Sequence, residues 1–172
     1  MKKRVTMVSG GARSGKSSHA LKIAQPYDNK VFIATAQAFD DEMARRIFRH
    51  KQERGDAFTT IEEPIRLAEA LSGVPEDTQV AVIDCITVWL GNLIHYCKID
   101  EENCTPVDRF LEVLESPPCN VVIVTNEVGM GLVPADAVSR IYRDLIGSVN
   151  RRIATIADEV FFAVSGIPFK IK

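Results

Sequence analysis

Residues 4–24, RVTMVSGGARSGKSSHALKIA, decide the fold class of this chain. The run RVTMVS (4–9) is rich in apolar and β-branched residues and predicts a buried strand. Directly after it, GGARSGKS (10–17) fits the phosphate-binding pattern G-x-x-x-x-G-K-[ST] and opens a helical segment. Because the motif stands between a strand and a helix, it predicts a nucleoside triphosphate site rather than a glycine-rich turn without a ligand.

The residue types of this loop suit phosphate chemistry. Gly10 and Gly15 permit backbone conformations in which successive N–H groups point at phosphate oxygens, and the following helix adds its positive dipole end. Lys16 supplies a charge for the outer phosphates, and the Ser17 hydroxyl is a predicted Mg²⁺ ligand. Arg13 either reaches phosphate or faces solvent. The predicted nucleotide-binding residues of the loop are Gly10, Gly11, Ala12, Arg13, Ser14, Gly15, Lys16 and Ser17.

Outward from this loop, short apolar runs alternate with helical patterns along the whole chain. We predict strands at 4–9, 30–36, 58–62, 79–85, 120–125 and 159–165, and helices near 16–25, 40–55, 64–72, 86–97, 106–116 and 136–157. Such alternation is typical of an α/β fold with a doubly wound, mostly parallel sheet. The closing FKIK (169–172) predicts a C-terminal antiparallel edge strand. We expect residues 1–172 to form one P-loop nucleotide-binding domain.

Composition narrows the function further. The chain has 172 residues, 46% hydrophobic and 26% charged, with a formal charge of −2. This balance offers no general basic field for nucleic acid, so an anion site must be local. We expect no membrane span and no secretory signal. The four cysteines show no C-x-x-C spacing, which favours a reducing cytoplasm.

Asp84 is the predicted second magnesium ligand. It ends the apolar run VAVID (80–84), as the Walker B carboxylate does at the carboxyl end of a strand. Asp84 could instead cap the following helix, with Thr87 as a competing cap. The guanine-binding pattern N-K-x-D of GTPase switches is missing after the strand at 120–125, where Asn126 is followed by Glu127 and Val128. Small-molecule phosphoryl transfer is therefore the favoured class of activity.

The segment DDEMARRIFRHKQERG (40–55) contains His50 among several cations. Positions four apart share one helical face, which places Arg46, His50 and Arg54 on one ridge. Glu53 could hydrogen-bond one imidazole nitrogen and leave the other to attack phosphorus, giving a phosphoramidate. The pattern alone still favours the simpler interpretation of a solvated surface helix.

Five motifs in order resemble the bifunctional adenosylcobinamide kinase / adenosylcobinamide-phosphate guanylyltransferase family. They are GGARSGKS (10–17), ATAQAFDDEMARRIFRHKQER (34–54), DCITVWLGNL (84–93), TNEVGMGLVP (125–134) and DEVFFAVSGIPFKIK (158–172). The resemblance covers nearly the whole chain. It implies a recombinase-like P-loop domain, commonly a homotrimer, that acts in cobalamin biosynthesis.

The resemblance also implies two activities. ATP or GTP phosphorylates adenosylcobinamide, and GMP from GTP then passes through a histidine to adenosylcobinamide phosphate. The family's R-I-x-x-H pattern falls on Arg46, Ile47 and His50, which makes His50 the implied catalytic nucleophile; some relatives have a second histidine where this chain has Arg49. Besides the loop, the implied nucleotide-binding residues are Ala34, Thr35, Ala36, Lys51, Gln52, Glu53, Arg54, Glu62 and Asp84.

Two alternatives stay open: a P-loop kinase of another small alcohol, and a nucleotide-dependent regulatory protein. The segment NEVGMGLVP (126–134) is either a glycine-rich turn before the last helix or a functional loop. In the second interpretation, Asn126 and Glu127 orient the substrate or activate its hydroxyl.

Overall fold

The computed structural model describes residues 2–99 and 103–172, and the side chains of Arg46 and Glu53 lie outside that description. The described strands are β1 (Val5–Gly10), β2 (Lys30–Ala34), β3 (Thr59–Glu62), β4 (Val80–Asp84), β5 (Asn120–Val124), β6 (Glu159–Val164) and β7 (Ile167–Lys170). The described helices are α1 (Lys16–Ala24), α2 (Asp41–Arg54), α3 (Leu67–Ser72), α4 (Ile86–Asn92), α5 (Thr105–Glu115) and α6 (Ala137–Ile156). A π-helical turn, Leu93–Cys97, continues α4.

The strands form one sheet in the order β3-β2-β4-β5-β1-β6-β7. Every neighbouring pair is parallel except β6 and β7, which are antiparallel. The predicted α/β class, the mostly parallel sheet and the antiparallel edge are thus confirmed. The edge strand begins at Ile167, two residues before the predicted FKIK, because the tight turn at Ser165–Gly166 starts the pairing early.

The sheet is covered on both faces, which explains its nearly continuous apolar strands. In β2, for example, Val31 and Ile33 pack into the core cluster shared with α3 to α6, while Phe32 packs into the opposite cluster with α1. Parallel strands end at the same edge, so the segments after β1, β2, β4 and β5 meet there. Ligands of open α/β sheets bind at this edge.

Two helices lie wholly or partly outside the core. Helix α2 has no buried side chain among those described, and it lies outside the two core layers. Apolar residues recur every three or four positions in 136–157 and predict one apolar stripe on α6, formed by Val138, Ile141, Leu145, Val149, Ile153 and Ile156. The stripe is buried at Leu145, Val149 and Ile153, but Val138 and Ile141 in its first turns are exposed. The sequence periodicity was right, and only part of the stripe meets the sheet. No helix of the described residues is long and apolar enough to cross a bilayer.

Candidate active site

Two glycines hold the phosphate-binding loop against the end of the sheet. A larger residue at either position would push the loop away from the β6–β7 hairpin. Gly10 has φ +147°, and a Cβ added there would lie 2.4 Å from the Ala163 carbonyl oxygen of β6. Gly15 has φ +90°, and its Cβ would lie 3.1 Å from the Cα of Gly166 in the turn between β6 and β7. The loop therefore needs glycine for its conformation and also for close approach to the β6–β7 hairpin.

Lys16 begins α1 and is folded into the loop, with only 6% of its surface exposed. Its ammonium group donates to the Gly11 carbonyl and to Ser14 Oγ at 3.4 Å. Burial lowers the pKa of Lys16, an effect that negative charge at Asp84 opposes. Phosphate oxygens at the helix N-terminus could take the place of these loop oxygens and stabilise the charged form.

Asp84 ends β4 at the same edge, next to Ala34 of β2 on one side and Val124 of β5 on the other. The Ser17 side chain lies near enough to the Asp84 carboxyl to lower its pKa. Burial raises the pKa of the Asp84 carboxyl above its usual range, although the residue keeps some exposed surface and Ser17 lowers the pKa again. Neither Asp84 nor Thr87 caps α4: Cys85 does so, with its Sγ accepting from the Val88 amide at 3.5 Å.

The pairing of Ser17 with Asp84 fits Mg²⁺, which prefers a carboxylate and hydroxyl oxygens supplemented by phosphate oxygens and water. No cluster of three or more histidine, cysteine, aspartate or glutamate side chains suited to a metal occurs among the described residues. A nucleotide-dependent magnesium site does not need such a cluster, because the phosphates themselves supply ligands. The two predicted metal ligands thus lie together.

The end of α2 turns back to this edge and brings cations to Asp84. The charges that lower the pKa of Asp84 include those of His50, Lys16 and Arg54. The Arg54 guanidinium also lies over the Phe32 ring, 4.3 Å from its centroid. The Asp84 carboxylate is thus near enough to interact with the charges of His50 and Arg54 on α2 and of Lys16 in the loop. The rest of α2 is solvated.

Lys51, next to His50, forms an ion pair of 2.6 Å with Glu62 at the end of β3. The hydrogen bond from Lys51 lowers the pKa of Glu62, and the positive charge of Lys51 adds to the effect. Glu62 pairs in register with Ala34, which also pairs with Asp84. Two strand spacings, about 10 Å, therefore separate the Glu62 and Asp84 backbones.

The remaining predicted nucleotide-binding residues are distributed along the same edge. Thr35 is fully buried, and its Oγ1 bonds both the carbonyl and the amide of Cys85 at 2.9 Å, so it fixes the end of β2 to the end of β4. Ala34 and Ala36 are half-buried, and Gln52 and Arg13 are exposed. The predicted contact between Glu53 and His50 lies outside the described residues, as does the side chain of Arg46.

Sequence reasoning missed a buried hydrogen-bond network behind the site. Asn150 of α6 accepts from Thr125 Oγ1 at 2.7 Å and donates to the Asn126 carbonyl at 3.1 Å. The Asn126 amide donates to Thr87 Oγ1 at 2.7 Å. A polar asparagine beside the apolar stripe of α6 was the available signal, since buried polar groups are rarely left without partners.

Comparison with known proteins shows the family of the chain. The family model described as "CobU: Cobinamide kinase / cobinamide phosphate guanyltransferase" matches residues 6–171. The chain is 36% identical to the bifunctional adenosylcobalamin biosynthesis protein CobU of Escherichia coli (strain K12), over 96% of this chain and 98% of that protein. It is 39% identical to the corresponding protein CobP of Pseudomonas aeruginosa, over 96% of each.

Solved structures show the fold at lower identity. An ATPase from the type III secretion system of pathogenic bacteria superposes with a TM-score of 0.56 at 12% identity over 92% of this chain. The ATP synthase subunit NeqB from Nanoarcheaum equitans gives a TM-score of 0.50 at 11% identity over 94% of this chain. This chain spans 50% and 45% of those two chains. From its sequence relatives, the chain belongs to the cobinamide kinase / cobinamide phosphate guanyltransferase family and is a nucleotide-dependent transferase.

Proposed function

We propose that this enzyme carries out two consecutive steps of cobalamin biosynthesis on one corrinoid substrate. In the first, ATP or GTP phosphorylates the hydroxyl of adenosylcobinamide. In the second, GMP from GTP is transferred to adenosylcobinamide phosphate, which yields adenosylcobinamide-GDP and pyrophosphate. The family membership supports both activities, and the residues below supply the chemistry.

The phosphate-binding loop holds the triphosphate in this proposal. Backbone N–H groups of residues 10–17 and the N-terminus of α1 bind the phosphates, and Lys16 neutralises the outer ones. Ser17 and Asp84 would hold Mg²⁺, which when bound supplies further positive charge to the phosphates. The effect of Ser17 on the Asp84 pKa places the two side chains close together and supports their assignment as neighbouring ligands.

His50 is the proposed nucleophile of guanylyl transfer. Its ring nitrogen attacks the α-phosphorus of GTP, so that an N–P bond forms and the P–O bond to pyrophosphate breaks. The phosphate of the corrinoid then attacks the same phosphorus and releases the imidazole. Lys51 and Arg54 would neutralise charge on the α-phosphate in both steps. The other proposed nucleotide-binding residues are Ala34, Thr35, Ala36, Gln52, Glu53 and Glu62.

One observation carries the proposal: two separate elements converge on Asp84. Ser17 of the phosphate-binding loop and the charge of His50 on α2 both lower the pKa of the Asp84 carboxyl. A nucleotide whose phosphates occupy the loop would therefore lie at the same edge of the sheet as the His50 imidazole. The interaction of His50 with Asp84 supports a functional histidine over a merely solvated helix.

Labelling tests the histidine directly. Incubation with GTP labelled on the α-phosphate should leave an acid-labile, alkali-stable label on the protein, and His50→Ala should abolish it. His95→Ala is the matched control, since His95 is also an exposed histidine on a helical segment. Label that persists in His50→Ala would remove His50 from this role. Transfer of γ-label alone would favour a kinase of a small alcohol instead.

The wider context of the enzyme follows from the same family. We propose that residues 1–172 act as one domain and that the protein works as a homotrimer in the cytoplasm. The cysteine spacing supports the reducing compartment. Analytical ultracentrifugation tests the assembly, since a monomeric enzyme with full activity would contradict it.

A further inference from the structure

Glu127 lies between the two halves of the proposed site. It follows β5, whose neighbours are β4 with Asp84 and β1 with the phosphate-binding loop. The Thr125 amide donates to the Val8 carbonyl at 3.1 Å, and the Glu127 amide donates to the Gly10 carbonyl at 3.0 Å. The pairing with β1 thus continues past the end of β5 and fixes the Glu127 backbone against the first residue of the loop.

The carboxylate of Glu127 is also held locally. Its Oε1 accepts from the Gly129 amide at 2.6 Å, and the residue is half-buried. A Cβ added to Gly129 would lie 3.0 Å from that oxygen, so the chain turns back closely beneath the carboxylate. One oxygen is thereby oriented by the backbone, which restricts the rotation of the whole group.

The backbone just before Glu127 is fixed by the network described above. Thr125 is fully buried, and Thr87 and Asn150 are 4% and 7% exposed. Their hydrogen bonds account for the amide and the carbonyl of Asn126, the residue that precedes Glu127. A satisfied buried network of this kind makes a loop rigid, and rigidity here serves the placement of the next side chain.

We infer that Glu127 is the general base of the kinase step, a role that rests on the proposed phosphorylation of an alcohol. The acceptor oxygen attacks the γ-phosphorus, and its proton passes to the Glu127 carboxylate. The new O–P bond forms as the bond from the γ-phosphorus to the β,γ-bridging oxygen breaks. The nucleoside diphosphate leaves with that electron pair and stays paired with Lys16. Glu127 is the carboxylate that the end of β5 brings to the loop, because its amide is bonded to the Gly10 carbonyl.

The test separates this role from the rest of the mechanism. Glu127→Gln keeps an oxygen that can accept from the Gly129 amide but is too weak a base to take the proton. Transfer of γ-label from GTP to adenosylcobinamide should fall by about 10²- to 10⁴-fold in kcat/KM. The α-label on His50 should be retained, because guanylylation of the enzyme needs no proton transfer from an alcohol. Glu112→Gln, an exposed glutamate on α5, is the matched control.

Each outcome decides the assignment. Glu127→Gln with a kinase activity reduced less than about tenfold would refute the base. If both labels are lost in that variant, Glu127→Asp decides: recovery of the kinase step above the glutamine variant supports the base, and equal loss refutes it. Wild-type protein that incorporates α-label but never transfers γ-label would instead refute the kinase half of the proposed function.

Discussion

Replacing Gly10 with alanine should destabilise the protein far more than replacing its neighbour Gly11, because the two glycines meet different surroundings. Gly10 has φ +147°, and an added Cβ would lie 2.4 Å from the Ala163 carbonyl oxygen and 2.9 Å from Ser14 Oγ. The carbonyl belongs to β6 and cannot rotate away. A Cβ on Gly11 would meet nothing within 4 Å, and its φ lies outside the left-handed region.

The expected cost has two parts. A non-glycine residue in so sparsely populated a backbone conformation costs about 1–3 kcal/mol. Overpacking against β6 costs about 1–3 kcal/mol more, since β1 and β6 must separate. Together these give roughly 2–6 kcal/mol for Gly10→Ala, a large part of the roughly 5–15 kcal/mol that stabilises a typical domain. Gly11→Ala should stay within about 0.5 kcal/mol of the wild type.

Urea unfolding without nucleotide measures this difference. The midpoint should drop strongly for Gly10→Ala and hardly at all for Gly11→Ala, with similar slopes in all three proteins. Isothermal titration calorimetry should also show weaker GTP binding by Gly10→Ala, because the loop moves with β1. Two alanine variants of equal stability would refute the argument that contact with β6 fixes the loop.

Three further predictions follow from named contacts. Asn150→Ala removes one buried and one part-buried hydrogen bond and should lower stability by about 1–3 kcal/mol. The kcat of the kinase step should fall while the KM for GTP is retained. An unchanged unfolding midpoint and kcat would contradict the network's role. Asp158→Ala removes the acceptor for the first amide of β1, a bond that holds the pKa of this carboxyl below its usual value. The stability from this bond is present above the unfolded-state pKa of Asp158 and is lost as the pH falls through its folded-state pKa. In pH-dependent urea unfolding, the wild type should therefore be about 1 kcal/mol more stable than Asp158→Ala at pH 7, and this advantage should shrink below about pH 4. An advantage that persists in acid would contradict the role of the bond. Lys51→Ala should slow formation of the His50 adduct by about 10²-fold in rapid-quench labelling. The control variant Lys98→Ala, which replaces another exposed lysine, should leave the rate unchanged. Equal rates in the two variants would exclude charge neutralisation by Lys51.

The sequence by itself determined the elements whose signals are local. The phosphate-binding loop depends on glycines and a lysine at fixed spacing, and its strand and helix are adjacent in the chain. The six predicted helices and the principal strands appear within a few residues of their expected positions, because apolar periodicity reports which faces are buried. The boundaries shifted where a turn intervened, as at β7, which begins two residues early after the Ser165–Gly166 turn.

Only the tertiary structure decided which of these elements meet. Strand order places β5 between β4 and β1, and this brings Glu127 to Gly10 although 117 positions separate them in the numbered chain. The periodicity of α2 was compatible with a solvated helix, and only the turn of its C-terminal end toward β4 brings His50 to Asp84. Asn150 was visible as a polar residue, but its partners just after β5 were not. Motifs are fixed by neighbours in the chain, whereas these contacts depend on how the whole sheet is ordered, and a single sequence does not encode that order in any local pattern.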